Sequence, residues 1–306
     1  MQFNPEKKVN DIHQEAKRVS VIIPTLNAEK EIEELLFQLE RQSVAPVEIL
    51  IIDSGSTDGT IGIVEKHPFA RMIVIPAGTF NHGRTRDLAA REASGDLFLF
   101  MTQDALPTDE YLIQRLAEKL AEPGVAAAYA RQVPKGDATP REKCVRAFSY
   151  PAEEDVHDLD AVKRLGLRAF YLSNACAAYN KEIYFSLGGF EQDLRSNEDM
   201  LFAAKAIRRG YRIIYAAEAE VFHSHGLSLR EQYERNKLQG YELARHRELL
   251  INDSPASAGG AMVKQVTRNL WKEGHIGSWV AFLMDCGARW FGNRAGRREY
   301  MRTQNG

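Results

Sequence analysis

Between residues 19 and 130, short apolar runs alternate with helical periodicities, and this alternation constrains the fold more than any other feature of the chain. Residues 19–23 (Val-Ser-Val-Ile-Ile) read as a buried strand. Ile32, Leu35, Leu36 and Leu39 then follow at the i, i+3, i+4, i+7 spacing of an amphipathic helix, with Asn27 as its cap. Residues 47–52 form a second strand, closed by the turn-rich Asp53-Ser-Gly-Ser-Thr-Asp-Gly59. Residues 72–75 read as a third strand, 84–94 as a helix, 97–102 as a fourth strand, 109–121 as a helix and 125–130 as a strand. This βαβα order predicts a largely parallel sheet with helices on both faces.

Beyond Pro134 the rhythm changes. Residues 135–168 are charged and irregular, which predicts long connections. A strand is expected over 171–179, then a helix over 199–209 with Met200, Ala203, Ala204 and Ile207 on one face. Two short strands follow at 212–215 and 220–223, and the Pro/Ser/Ala/Gly stretch 252–260 reads as a linker. The expected organisation is a polar arm (1–18), two halves of one α/β domain (19–133 and 134–251), and a linker with a helical tail (252–306).

Bulk properties exclude several classes. The net charge of -2 argues against a nucleic-acid binder, which would carry a basic excess. The 3 cysteines lack metal-ligand spacing and fit a reduced, cytoplasmic setting. Residues 1–18 have no apolar stretch of the signal-peptide kind, and no window has the run of about 18 apolar residues of a membrane span.

In an open parallel sheet, ligands bind outside the carboxyl ends of the strands. The first strand runs into Pro24-Thr25-Leu26-Asn27, the second into Asp53 and the fourth into Gln103-Asp104, so Thr25, Asn27, Asp53 and Asp104 should share one edge. Asp53, in a Ser/Gly/Asp turn, is of a kind that more often forms the loop than binds a ligand. Asp104 has two readings, a ligand for a hard cation such as Mg²⁺ or Mn²⁺, or a turn cap before Pro107. Asn197-Glu198-Asp199 opens a helix, where acids favour the positive end of the dipole. One of those carboxylates is also placed to serve as general base. His223-Ser-His225 follows a strand, and imidazole suits Mn²⁺ as well as Zn²⁺. Arg84 and Arg86, near a helix start, offer guanidinium forks to phosphate.

VSVIIPTLNAEKEI, VEILIIDSGSTDGT and EDMLFAAKAIRRGYRIIYAAEAEVFHSH together resemble the successive signatures of family 2 glycosyltransferases. FNHGRTRDLAAREASGDLFLFMTQDALP, ARQVPKGDATP and YLSNACAAYNKEIYFSLGGF are similar to the rhamnosyltransferase branch, which builds cell-surface polysaccharides from dTDP-rhamnose. The resemblance implies a GT-A fold, Rossmann-like, with residues 19–133 binding the nucleotide sugar and 134–251 the acceptor. It implies inverting transfer with a Mg²⁺ or Mn²⁺ cofactor, onto a hydroxyl of a glycan or lipid-linked saccharide. Carried over by position, Asp53 recognises the pyrimidine base, while Pro24, Thr25 and Asn27 line the nucleoside pocket. Arg86 and Gln103 lie along the donor. Asp104 is the last acid of the Asp-x-Asp metal motif, His223 lies near the metal or diphosphate, and Asp199 is the catalytic base. Glu198, Asn174 and the small residues around Cys176 border the acceptor. Two positions depart from the pattern: Thr102-Gln103-Asp104 carries one acid where many members have two or three, and Leu26 stands where many offer a tyrosine to the base.

Rival readings are a UDP-hexose or UDP-N-acetylhexosamine transferase of the same family and a non-catalytic nucleotide-sugar-binding protein. A nicotinamide dehydrogenase is set aside because Pro24-Thr-Leu-Asn replaces its glycine-rich turn. From Lys264 onward the tail has eight Lys/Arg against three Asp/Glu, with Trp271, Trp279 and Trp290 among them. It reads either as an interfacial segment holding a peripheral enzyme on the inner face of the plasma membrane, or as a helix packed on the catalytic domain or on a second subunit of a homodimer.

Overall fold

A computed structural model of the protein describes residues 17–224, 226–250 and 258–304. The first half comprises β1 (Val19–Thr25), α1 (Ile32–Glu40), β2 (Glu48–Asp53), α2 (Thr60–Val64), β3 (Ala70–Val74), α3 (His82–Glu92), β4 (Leu97–Met101), β5 (Leu106–Pro107), α4 (Leu112–Ala121) and β6 (Val125–Val133). The second adds α5 (Pro140–Ser149), β7 (Asp155–His157), α6 (Leu159–Leu165), β8 (Cys176–Asn180), α7 (Lys181–Ser186), α8 (Glu198–Arg208) and β9 (Arg212–Phe222). The chain closes with α9 (Leu229–Arg245), α10 (Arg247–Leu250), α11 (Ala258–Lys272) and α12 (Ile276–Thr303).

The nine strands of the described residues join one sheet in the order β3-β2-β1-β4-β8-β6-β9-β5, with β7 added on β9. Strands β1, β2, β3, β4, β6 and β9 run one way, while β5, β7 and β8 run against them. The carboxyl ends of the six parallel strands therefore share one edge. The amino end of the reversed β8 lies at that same edge, with Cys176 opposite Met101.

Alternation along the strands sends side chains to two cores. Ile22, Phe98 and Phe100 face a layer with Ala89, Ala90, Leu201 and Ile207 from α3 and α8. Val21, Ile23, Leu97 and Leu99 face Leu35, Leu36, Leu39 and Leu116 from α1 and α4. The first layer holds the fully buried rings of Phe98, Phe100, Tyr179, Tyr184, Phe190 and Phe202, which meet mostly edge to face. Each such ring contributes roughly 1.5–3 kcal/mol of transfer free energy.

Several local expectations change. The α1 helix starts behind Glu31, and Asn27 stands outside it in the left-handed region at φ 50. The stretch expected to be irregular holds α5, β7, α6 and a 3₁₀ turn (Gly166–Phe170). Its caps are legible in hindsight: Thr139 accepts from the Glu142 N–H with Pro140 at the first turn, and Asp158 accepts from the N–H groups of Asp160 and Ala161. The two short strands near 212–223 are one strand, β9, with a register shift where Ala130 gives way to Arg131 on its neighbour. The polar arm lies outside the described residues as far as residue 16, as does most of the 252–260 linker; residues 258–260 already belong to α11.

The tail is helical. A methyl group on Gly292 would collide with the Tyr233 carbonyl oxygen, one on Gly296 with that of Lys237, and one on Gly240 with that of Asn293. These glycines let α12 lie against α9 at backbone contact. Among the described residues, no helix is long and apolar enough to cross a membrane.

Candidate active site

The site grows from the carboxyl-edge loops. Thr25 and Asp53 are paired across β1 and β2, and the Thr25 hydroxyl donates to Asp53 Oδ1 at 3.2 Å. The Asp53 carboxylate, fully buried, also accepts from the N–H groups of Gly55 (2.9 Å) and Ser56 (2.8 Å) and from the Ser56 hydroxyl. Asp53 thus closes the β2 turn. Asn27 reaches the same turn from β1: its Oδ1 accepts from the Thr57 N–H at 2.9 Å, and its own N–H donates to Ser56 Oγ at 2.8 Å. Its left-handed backbone suits asparagine better than most residues. Pro24 is partly exposed just before it.

Gln103 ties β4 to this loop. Its Oε1 accepts from the Leu26 N–H (2.9 Å) and its Nε2 donates to the Leu26 carbonyl (3.3 Å). The amide expected along the donor is therefore spent on the backbone. Leu26 itself is half exposed, a flat apolar surface at the mouth of the site.

Asp104 follows in a turn held by Ala105 N–H to Thr102 O at 3.1 Å. Pairing of β5 with β9, Leu106 opposite Phe222, brings Asp104 to His223. Asp104 Oδ1 lies 3.5 Å from His223 Nε2. On the other side of the ring, Nδ1 is 2.7 Å from Gln132 Oε1. A glutamine oxygen only accepts, so Nδ1 carries the proton in the neutral ring and Nε2 presents its lone pair toward Asp104. Gln132 is buried, and its Nε2 donates to Ser173 Oγ at 2.8 Å while Arg146 donates to its Oε1. The sequence reading missed Gln132, although a polar residue at the carboxyl end of the apolar β6 is the same signal that picked out Asp53. His225 lies outside the described residues.

One carboxylate oxygen and one imidazole nitrogen 3.5 Å apart stand about half an ångström wider than neighbouring ligands of a six-coordinate cation with metal–ligand distances of about 2.1 Å, so the two side chains would draw together to share one. Among the described residues, no group of three or more His, Cys, Asp or Glu side chains gathers to hold a metal ion. A cation here would complete its shell with phosphate oxygens and water, as Mg²⁺ and Mn²⁺ commonly do.

The third carboxylate sits on α8. Asn197, left-handed at φ 67, turns the chain so that Glu198 and Asp199 open the helix in different directions. Glu198 points inward. Its Oε1 accepts from Arg86 Nη1 at 3.3 Å and from Asn174 Nδ2 at 3.1 Å, and the Tyr179 hydroxyl donates to Asn174 Oδ1 at 2.6 Å. Arg86, expected along the donor, is buried too, and its Nη1 donates to Glu198 and to the His82 carbonyl. Arg84 stays on the surface.

Asp199 keeps part of its surface open. Its Oδ2 accepts from the Asn174 N–H at 3.2 Å and its Oδ1 from the Met200 N–H at 2.8 Å. Desolvation, followed by the charge of Glu198, raises its carboxyl to about 7. Asn174 joins Asp199 to the sheet edge, since Thr102, two residues before Asp104, donates to the Ala175 carbonyl at 3.1 Å. The edges carrying Asp53, Asp104, His223 and Asp199 are thus continuous through Leu26, Gln103 and Asn174. The small residues around Cys176, expected along an acceptor cleft, are instead buried between β4 and β6.

The model of glycosyl transferase family 2 matches residues 20–187. Over 219 residues, 71% of this chain and 70% of the other, the chain is 36% identical to the O-antigen chain rhamnosyltransferase RfbN of Salmonella typhimurium. Its fold resembles that of a mannosyltransferase from Pyrobaculum calidifontis solved with GDP-Man and Mn²⁺, with a TM-score of 0.62, 20% identity and coverage of 94% of this chain and 88% of that one. Staphylococcus aureus TarS gives a TM-score of 0.55 at 21% identity, over 94% of this chain and 91% of that one. These two likenesses establish the GT-A architecture that the sequence signatures implied.

Proposed function

The chain belongs to glycosyl transferase family 2, and from that premise we propose that it is an inverting rhamnosyltransferase. It moves rhamnose from dTDP-rhamnose to a hydroxyl of a glycan or lipid-linked saccharide in cell-surface polysaccharide synthesis. The observation that carries the reading is Asp199, a carboxylate held by the Asn174 and Met200 N–H groups and tied through Asn174 to the edge where a sheet of this kind binds ligands. The identity to a protein named as an O-antigen rhamnosyltransferase supports the choice of sugar.

In this reading the acceptor hydroxyl gives its proton to Asp199 as its oxygen bonds to the anomeric carbon from the face opposite the diphosphate. The bond from that carbon to the diphosphate oxygen breaks, and dTDP leaves with the electron pair. The Asn174 and Met200 N–H groups orient the Asp199 carboxylate. Burial, and then the carboxylate of Glu198 that Arg86 holds in place, raise the basicity of Asp199. Asp104 and His223 would hold Mg²⁺ or Mn²⁺, which supplies charge neutralisation to the departing diphosphate. The enzyme works at the cytoplasmic side of the plasma membrane, against its inner face.

The purified protein should be given dTDP-rhamnose, UDP-glucose, UDP-galactose and UDP-N-acetylglucosamine with Mn²⁺ and a lipid-linked saccharide acceptor. Rhamnose transfer with inverted anomeric configuration by NMR is the expected result. Turnover of a UDP-sugar alone would replace the donor, and no turnover of any would leave a binding protein.

A further inference from the structure

Among the described residues, the outer face of α12 is left exposed. Its inner face is consumed by α9 through Gly292 and Gly296, while Phe282 and Asp285 are also buried. Opposite them, at alternating spacings of three and four, runs a single exposed stripe. Its first part is apolar: Ile276, Val280, Leu283 and Trp290, flanked by Met284 and Phe291, all at least 40% exposed. Its last part is basic, with Arg294, Arg297, Arg298 and Arg302 exposed around Met301. Monomeric proteins rarely leave so large an apolar strip in water unless it binds something.

We infer that this face docks on an anionic lipid surface. Charge decides the occupant. The only acids of α12 are Asp285 and Glu299; Asp285 pairs with Arg289 at 2.7 Å, and Glu299 pairs with Arg195 and Lys237 at 2.7 and 2.9 Å. The outer stripe therefore carries four guanidiniums and no carboxylate. Pairing with a second copy in parallel would stack those arginines on each other, and pairing antiparallel would set them on Ile276 and Val280. Neither arrangement supplies a counter-charge. A bilayer with anionic headgroups supplies both an acyl boundary for the tryptophan end and phosphates for the arginine end. The helix is about 42 Å long at 1.5 Å per residue, so it lies along the surface.

Docking would also set the active site near the membrane. The contacts of Gly292 with Tyr233 and of Gly296 with Lys237 and Tyr241 make α12 run parallel to α9. The α9 helix begins six residues after His223, so the apolar half of α12 extends past the end of α9 nearest the site. This deepens the membrane-face placement proposed above by assigning it to named residues.

The test is flotation of the full chain with vesicles of phosphatidylcholine alone and of phosphatidylcholine mixed with phosphatidylglycerol, read alongside transfer to a soluble acceptor. Flotation with the anionic vesicles only is expected, weakening with salt. Replacing Arg294, Arg297, Arg298 and Arg302 by Gln should lower partitioning about fivefold for each arginine removed, and Trp290→Ser with Phe291→Ser should abolish it. Turnover on the soluble acceptor should be unchanged in these variants. The Asp199→Asn protein should float like the parent, which separates failure of docking from failure of the transferase reading. Absence of flotation, or equal flotation on neutral vesicles insensitive to the arginines, would overturn the inference. So would a concentration-dependent dimer by light scattering that Trp290→Ser dissolves.

Discussion

Arg86 Nη1 lies 3.3 Å from Glu198 Oε1 with both side chains nearly closed to solvent, and the next residue in the chain is Asp199. Two helices 112 positions apart in sequence are joined there. The pair sets a guanidinium against a buried carboxylate, and Glu198 adds to burial in raising the Asp199 carboxyl.

Removing one partner of a buried ion pair strands the other charge. Arg86→Met should destabilise the fold by about 3–5 kcal/mol in urea titrations, and Arg86→Met combined with Glu198→Leu should cost markedly less than the single change. Equal urea midpoints for the parent and Arg86→Met would show that the pair does not hold α3 to α8.

Asp199→Asn keeps the shape and removes the base. Its kcat should fall about 10²- to 10⁴-fold while donor affinity by calorimetry is retained. The same variant should be the more stable protein at alkaline pH. The Asp199 carboxyl rises from about 4 when unfolded to about 7 when folded, so between those values the folded chain holds more protons. Stability is therefore lost as pH rises through that window, and Asn escapes the loss. The Tm advantage of the variant should grow from about pH 5 to about pH 8; an advantage that shrinks over that range would refute the raised carboxyl.

A base must be ionised to accept a proton, so kcat/KM should fall below a limb at about 7. Glu198→Gln removes the neighbouring negative charge and leaves the Arg86 charge uncompensated. Both changes favour ionised Asp199, so the acid limb should move to lower pH. A limb that stays put in Glu198→Gln would mean that another group sets it.

Gln132 fixes the His223 ring from behind. Losing such a partner typically lowers metal affinity about 10- to 100-fold. Gln132→Ala should raise the Mn²⁺ concentration needed for half-maximal activity by that factor, with free Mn²⁺ followed independently by its EPR signal. An unchanged requirement would exclude His223 as a ligand.

Gln103 holds the Leu26 backbone with two hydrogen bonds, each worth about 1 kcal/mol net. Gln103→Ala should raise the donor KM about tenfold while kcat holds. A fall in kcat with KM constant would place Gln103 in the chemical step.

The sheet and the edge that collects the polar strand ends were legible because period-2 and period-3.6 patterns are local. Val21 and Ile23 fall on one side and Ile22 on the other, as alternation requires. The roles of the polar residues were less legible because partners distant in sequence settle them. Arg86 reads as a phosphate ligand until Glu198 closes over it, and Gln103 reads as a donor contact until Leu26 takes its amide. Asn27 has the chemistry of a helix cap, yet the β2 turn claims its side chain. Residues 135–168 look irregular because α5 has no buried residue of its own and packs mainly through partly buried side chains, Cys144, Val145 and Phe148, against α11 and α12.

The reversed strand β8 lies between β4 and β6, yet the chain makes both of its neighbours first. On a ribosome, β6 emerges some forty residues before the strip that must be inserted beside it. If β4 and β6 joined directly in that interval they would fill the seat of β8 and exclude Asn174 from the edge where it meets Asp199. The nascent chain must therefore keep that slot vacant, and the sheet closes only after residue 180 has been synthesised, which makes this non-local step the natural bottleneck of folding.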